Sequence, residues 1–146
     1  MKRGLAAIAL TLAFDAAAQS CRVDVTPLAF GVYDPASVTA TTVRTEIALV
    51  CGGGAAGEAP ASATVRLAGD AARALAGAGH ELRYVLFQDA ATSRPWRDAD
   101  AATVALPPAA DGRASEVRVP VYGRIAPGQW VPPGIYSGVV EVVVTF

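Results

Sequence analysis

Residues Val121–Phe146 read VYGRIAPGQWVPPGIYSGVVEVVVTF, and their reading decides the fold. Pro132-Pro133-Gly134 is a turn signal, because proline fixes φ and glycine is free to take φ > 0. A run dominated by β-branched and aromatic residues follows it. Tyr136, Val140, Val142, Val144 and Phe146 share one parity, while Glu141 and Thr145 fall on the other. Period two with the polar residues opposite predicts a strand with one buried face. The run ends at Phe146 with no closing hairpin, charged cap or polar tail. Such a strand leaves a sheet edge that has to be covered, so a strand supplied from elsewhere is expected.

At the other end, Lys2 and Arg3 precede an apolar run from Leu5 to Phe14, and Ala16-Ala17-Ala18 supplies small residues. This is the pattern of a secretory signal peptide, with cleavage expected after Ala18. The apolar run falls short of the ~20 residues that a membrane span requires. Residues 1–18 are therefore read as an address and residues 19–146 as one domain, with no membrane span in the mature chain. Beyond the leader stand ten arginines and no lysine against twelve acidic residues. A net charge near −2 without a basic block excludes a nucleic-acid partner. Asparagine is absent, which excludes N-linked glycosylation. Cys21 and Cys51 are the two cysteines of a chain bound for an oxidising compartment. With a single histidine they cannot form a zinc site of four protein ligands, so a disulfide is expected. It would close a thirty-residue loop, worth roughly 3–4 kcal/mol on the chain-entropy account.

From Cys21 the pattern is β throughout. Cys21, Val23 and Val25 alternate with Arg22, Asp24 and Thr26, and Val43, Ile47, Leu49 and Cys51 alternate with Arg44, Glu46 and Ala48. The cysteines would then tie these two strands across the core. Shorter strands are predicted at Ala63–Ala68, Glu81–Gln88, Thr103–Leu106 and Ser115–Gly123, with turn clusters between them. Only Asp70–Leu75, with an aspartate as cap and three alanines behind it, predicts a short helical piece. Six or seven short strands in a secreted domain of this size predict an all-β, immunoglobulin-like sandwich.

The inventory for catalysis is short. His80 is the one histidine, at the start of a predicted strand, and no second histidine or free thiol completes a nucleophile–base–orienter set. Gly52–Gly57 has phosphate-loop spacing, but Glu58 stands where a lysine is needed, so it reads as a flexible turn. Asp89, Asp98 and Asp100 read as solvated loop acids rather than calcium ligands. Trp96 and Trp130 read as core or turn-anchoring residues. No enzyme, metal or cofactor is predicted.

Four stretches together resemble the spore coat protein U domain, which is also the subunit domain of archaic chaperone–usher pili. They are Cys21 with Leu28-Ala29-Phe30-Gly31-Val32-Tyr33-Asp34, then Ile47-Ala48-Leu49-Val50-Cys51, then Leu82–Asp89 leading to Trp96. The fourth is Val121-Tyr122-Gly123-Arg124-Ile125 with Gln129, Pro133-Gly134-Ile135-Tyr136 and Val142–Phe146. Where the family tends to have a Gly-Asp-Gly turn after the tryptophan, this chain has Arg97-Asp98-Ala99-Asp100.

The resemblance implies a sandwich lacking its last strand, with an apolar groove between the first and final strands. A periplasmic chaperone fills such a groove, and the N-terminal extension of a neighbouring pilin subunit replaces it at an outer-membrane usher. The underlying physics is β-strand addition. Val23 and Val25 would line one wall, and Val140, Val142, Val144 and Phe146 the other. Parity alone is equally compatible with six ordinary core residues in a complete domain. With cleavage after Ala18, Gln19 and Ser20 alone would precede Cys21, too few to span a groove at ~3.3 Å per residue. The resemblance thus implies a secreted accessory or tip-type subunit that accepts a strand and donates none. The alternative is a self-sufficient secreted coat or cell-surface domain.

Overall fold

A computed structural model describes residues 20–52, 60, 62–107 and 113–146. The expected leader and residues 53–57 of the glycine-rich turn lie outside the described residues. The described part is all-β, without helix, and forms two curled antiparallel sheets that pack as an immunoglobulin-like sandwich. The eight strands are β1 (Ser20–Val25), β2 (Thr41–Gly52), β3 (Ser62–Leu67), β4 (Ala72–Gly77), β5 (His80–Phe87), β6 (Ala102–Ala105), β7 (Ser115–Ile125) and β8 (Val142–Thr145). One sheet has the order β1-β2-β7-β5-β4 and the other β6-β3-β8.

Alternation explains most of these elements. Along β3 Ala63, Val65 and Leu67 are buried in alternation, and along β5 Leu82, Tyr84 and Leu86. These meet Ile47 and Leu49 of β2 and Val119, Val121 and Ile125 of β7 in a single core. Period-two apolar residues from both sheets meet there because each strand presents alternate side chains to the same layer. Trp96 is buried against this core, whereas Trp130 is not in it at all, at 77 % exposure. Pro120 lies within β7 at residues that pair with β2 but not with β5, where a missing N–H is tolerated.

Three expectations are corrected. Asp70–Leu75 holds no helix: Ala72–Gly77 is an edge strand paired with β5. Arg73 and Leu75 turn inward and the alanines outward, so cross-strand pairing outweighs the helix propensity of alanine. Cys21 and Cys51 are bridged, but within one sheet rather than across the core. They stand directly opposite in the β1–β2 register, with Cα atoms 4.1 Å apart. Finally, Tyr136–Phe146 is not one strand. Ser137 makes a lone bridge with Ala76 of β4, and only Val142–Thr145 pairs with β3.

The terminal segment therefore changes sheet. Ala76 and Ser137 exchange two backbone hydrogen bonds of 2.9 and 3.1 Å, and further on Ala68 N–H donates to the Glu141 carbonyl. Gly77 makes the crossing possible, since a Cβ there would lie 2.1 Å from the Ile135 carbonyl oxygen. On the outer face of the larger sheet, Arg118 is clamped by Glu46 and Glu116, and Arg44 also reaches Glu46. These carboxylates, Glu46 foremost, hold the Arg118 guanidinium pKa above its ordinary value.

Candidate functional site

Between the sheets the sandwich is open along one side. After β1 the chain leaves the sheet but stays tied to it, through Thr26 N–H to the Glu46 carbonyl and the Thr45 hydroxyl to the Thr26 carbonyl. The tie carries Pro27, Leu28, Ala29 and Phe30 across the opening as a wall without strand structure. Leu28 and Phe30 lie over Gly123 of β7, where a Cβ would come within 2.7 Å of Leu28 Cδ2 and 2.8 Å of Phe30 Cζ. Phe30 also meets Tyr84 edge-to-face, with centroids 5.4 Å apart. Burial pushes the Tyr84 phenol up, against a smaller downward pull from Arg73.

The opposite wall is the crossing segment, Gly138–Val142. Between the walls is an apolar cleft of about 310 Å³, floored by Ile47, Leu67, Leu75 and Leu86. A second depression, of about 670 Å³, shares Leu28, Phe30, Leu75 and Gly138 with it and continues past Tyr33, Val131 and Tyr136. The two form one groove. Its far end is held by polar contacts: the Tyr33 hydroxyl donates to the Ala126 carbonyl and accepts from Gln129 N–H, and the Tyr136 hydroxyl donates to the Pro132 carbonyl. β7 stops pairing with β5 at Ile125, and the Gln129 side-chain amide takes over, bonding both N–H and C=O of Arg83 at 2.8 Å.

Of the six residues assigned to the groove from sequence, Val25, Val140 and Val142 line the cleft. Val25 is half exposed there. Val23 and Val144 pack against the core beside it, and Phe146 stands beyond the end of β8, 46 % exposed. Leu28 and Phe30 were not assigned, although they contribute most of one wall. Pro27 and Gly31 flank them, so their alternation is too short to mark a strand.

The remaining candidates do not converge. Asp89 accepts hydrogen bonds from the Ser93 hydroxyl and the Ser93 and Arg94 N–H groups, which hold its pKa low. Asp98 pairs with Arg66 and Asp100 with Arg97. His80 is exposed as the first residue of β5. Among the described residues no group of three or more His, Cys, Asp or Glu side chains could hold a metal, and no helix is long and apolar enough to cross a membrane.

The sequence comparison supplies the family. Residues 6–143 match the spore coat protein U domain. The chain belongs to the spore coat protein U family. Membership carries a coarse assignment, a structural subunit of pilus or coat type with a place at or beyond the cell surface. The match begins inside the stretch expected to be the leader. No curated protein sequence matches this spore coat U chain.

Proposed function

We propose that this chain is an assembly subunit of archaic chaperone–usher fibres, of accessory or tip type, that accepts a donor strand in the groove between the Pro27–Phe30 wall and the Gly138–Val142 wall. The observation that supports this most is the apolar lining. Leu28, Phe30, Leu75, Val140 and Val142 are apolar and only partly buried, and Val25 is half exposed, around an opening at whose base lie the buried Ile47, Leu67 and Leu86. β8 lies at the edge of its sheet, with β3 as its one partner among the described residues. An added strand would pair with the free edge of β8 and place alternate apolar side chains on the floor.

On this reading a periplasmic chaperone occupies the groove first, and a neighbouring pilin subunit replaces it at an outer-membrane usher after export to the periplasm. Without an occupant the groove is an unpaired apolar edge, and the chain alone should aggregate. The test is to titrate a donor-type peptide, with apolar residues at alternate positions, onto the purified chain and follow thermal unfolding. Binding should raise the melting temperature with peptide concentration by mass action. A chain that is monomeric and stable alone, and indifferent to the peptide, would instead be a self-sufficient coat domain.

A further inference from the structure

The outer face of the five-stranded sheet divides into two unlike halves. Over β1, β2 and β7 the charges are paired internally: Arg22 with Asp24, Arg44 with Glu46, and Arg118 with both Glu46 and Glu116. Such a face is satisfied by its own side chains and has no electrostatic need of a partner. Over β4, β5 and the end of β7 the arrangement is different. Ala72 and Ala74 of β4 and Val85 of β5 pave a shallow depression of about 650 Å³, edged by Glu81, Arg83 and Arg124. None of these three charged residues makes an ion pair among the described residues, and all three are exposed.

The register fixes how these groups lie. Glu81, Arg83 and Val85 follow one another on the same face of β5, each ~6.7 Å from the next. Arg83 is opposite Ala74, Val85 is opposite both Ala72 and Arg124, and Glu81 is opposite Ala76. A two-fold axis passing beside Leu82 would bring Glu81 of each copy over Arg83 of the other. The same operation lays the alanine paving of one copy against that of its mate, where the small side chains permit close approach of the sheets. An isologous contact needs a self-complementary patch, and one acid beside one base on a flat apolar strand face supplies it.

We infer that the outer face of β4 and β5 is a contact between two copies of this chain, with reciprocal Glu81–Arg83 pairs on either side of the two-fold axis and the alanines of β4 packed beside them. This contact is separate from the groove, so it would join subunits side by side rather than end to end.

The test is sedimentation velocity over a wide concentration range, with and without the donor-type peptide, so that association through the groove is removed when the peptide is present. With the peptide present the chain should still dimerise. Glu81→Arg and Arg83→Glu should each weaken the dimer about tenfold or more, since each replaces both reciprocal attractions with like charges. The double variant Glu81→Arg/Arg83→Glu should recover it, which a merely misfolded protein could not do. The inference is overturned if the chain stays monomeric, if either single variant associates like the parent, or if the double variant fails to recover. Capture of an acidic peptide by a monomer through Arg83 and Arg124 would also overturn it, and would identify a different occupant.

Discussion

Gly123→Ala is the perturbation that most directly probes the groove wall. Gly123 lies in the inward-facing series of β7, between Val43 of β2 and Leu86 of β5, and Leu28 and Phe30 rest on it. The new methyl would meet Leu28 Cδ2 at 2.7 Å and Phe30 at 2.8 and 3.0 Å, whereas ordinary contact begins near 3.4 Å. The wall must therefore lift by roughly 0.6–0.7 Å or the side chains must leave their rotamers, an overpacking cost of about 1–3 kcal/mol. Replacing glycine within a strand returns roughly 0.5–1 kcal/mol through reduced chain entropy. The net expectation is a loss of about 0–2.5 kcal/mol, centred on ~1 kcal/mol, which is roughly 4 °C in melting temperature for a domain of this size. Calorimetry with and without the donor-type peptide reads both stability and binding, and binding should weaken because the wall that moves is a groove wall. Trimming the opposing ring in Gly123→Ala/Phe30→Leu should recover part of the loss, so the pair should be non-additive. If Gly123→Ala melts no earlier and binds the peptide equally well, the close approach of wall and floor does not exist in solution.

Cys21→Ser and Cys51→Ser should lower stability by similar amounts, about 3–4 kcal/mol on the loop-entropy account, because each removes the same constraint; chemical denaturation of the two variants compares them. Val142→Asp places an unpartnered charge on the groove wall and should weaken peptide binding at matched folded fraction, as titration calorimetry would show, at a cost of several kcal/mol if the charge is desolvated. The Ser93 hydroxyl and the Arg94 and Ser93 N–H groups keep the folded-state pKa of Asp89 below the ordinary aspartate value of 3.8. Its contribution to stability is thus present above that value and lost as pH falls through it toward the lower folded pKa. Asp89→Ala should flatten that part of the acid-unfolding curve. Intact-mass measurement of the secreted protein should find Gln19 first, which leaves Gln19 and Ser20 ahead of the bridge and suits a fibre end. A chain retaining ten or more residues before Cys21 would have a segment long enough to donate.

The sandwich was legible because most strands carry their own signal. Cys21-Val23-Val25, Ile47-Leu49-Cys51 and Leu82-Tyr84-Leu86 each alternate cleanly; the last two sets lie in the core, and Cys21 and Val23 pack against it. β4 was not legible, because Ala72, Ala74 and Ala76 say nothing about exposure and Arg73 points inward against its polarity. The cleft was only partly legible. Val25, Val140 and Val142 line it, while Val144 and Phe146 lie farther along a strand whose direction depends on where the chain changes sheet. That change is set by backbone contacts at Gly77, Ser137 and Gly138, which side-chain parity cannot report. Leu28 and Phe30 form a wall by packing on Gly123, a contact nearly a hundred residues away in sequence that no local pattern encodes.

The disulfide at the start of β1 also has a mechanical consequence. Any tension arriving from the residues ahead of Ser20 meets Cys21 before it meets the rest of the strand. From there the load passes through the sulfur bridge to Cys51, in a strand flanked by β1 on one side and β7 on the other. The ladder from Arg22 to Val25 is bypassed, so β1 cannot be unzipped from its outer end. A pull on this subunit is thus delivered to β2, which is paired on both sides, rather than to the edge strand β1, which is paired on one.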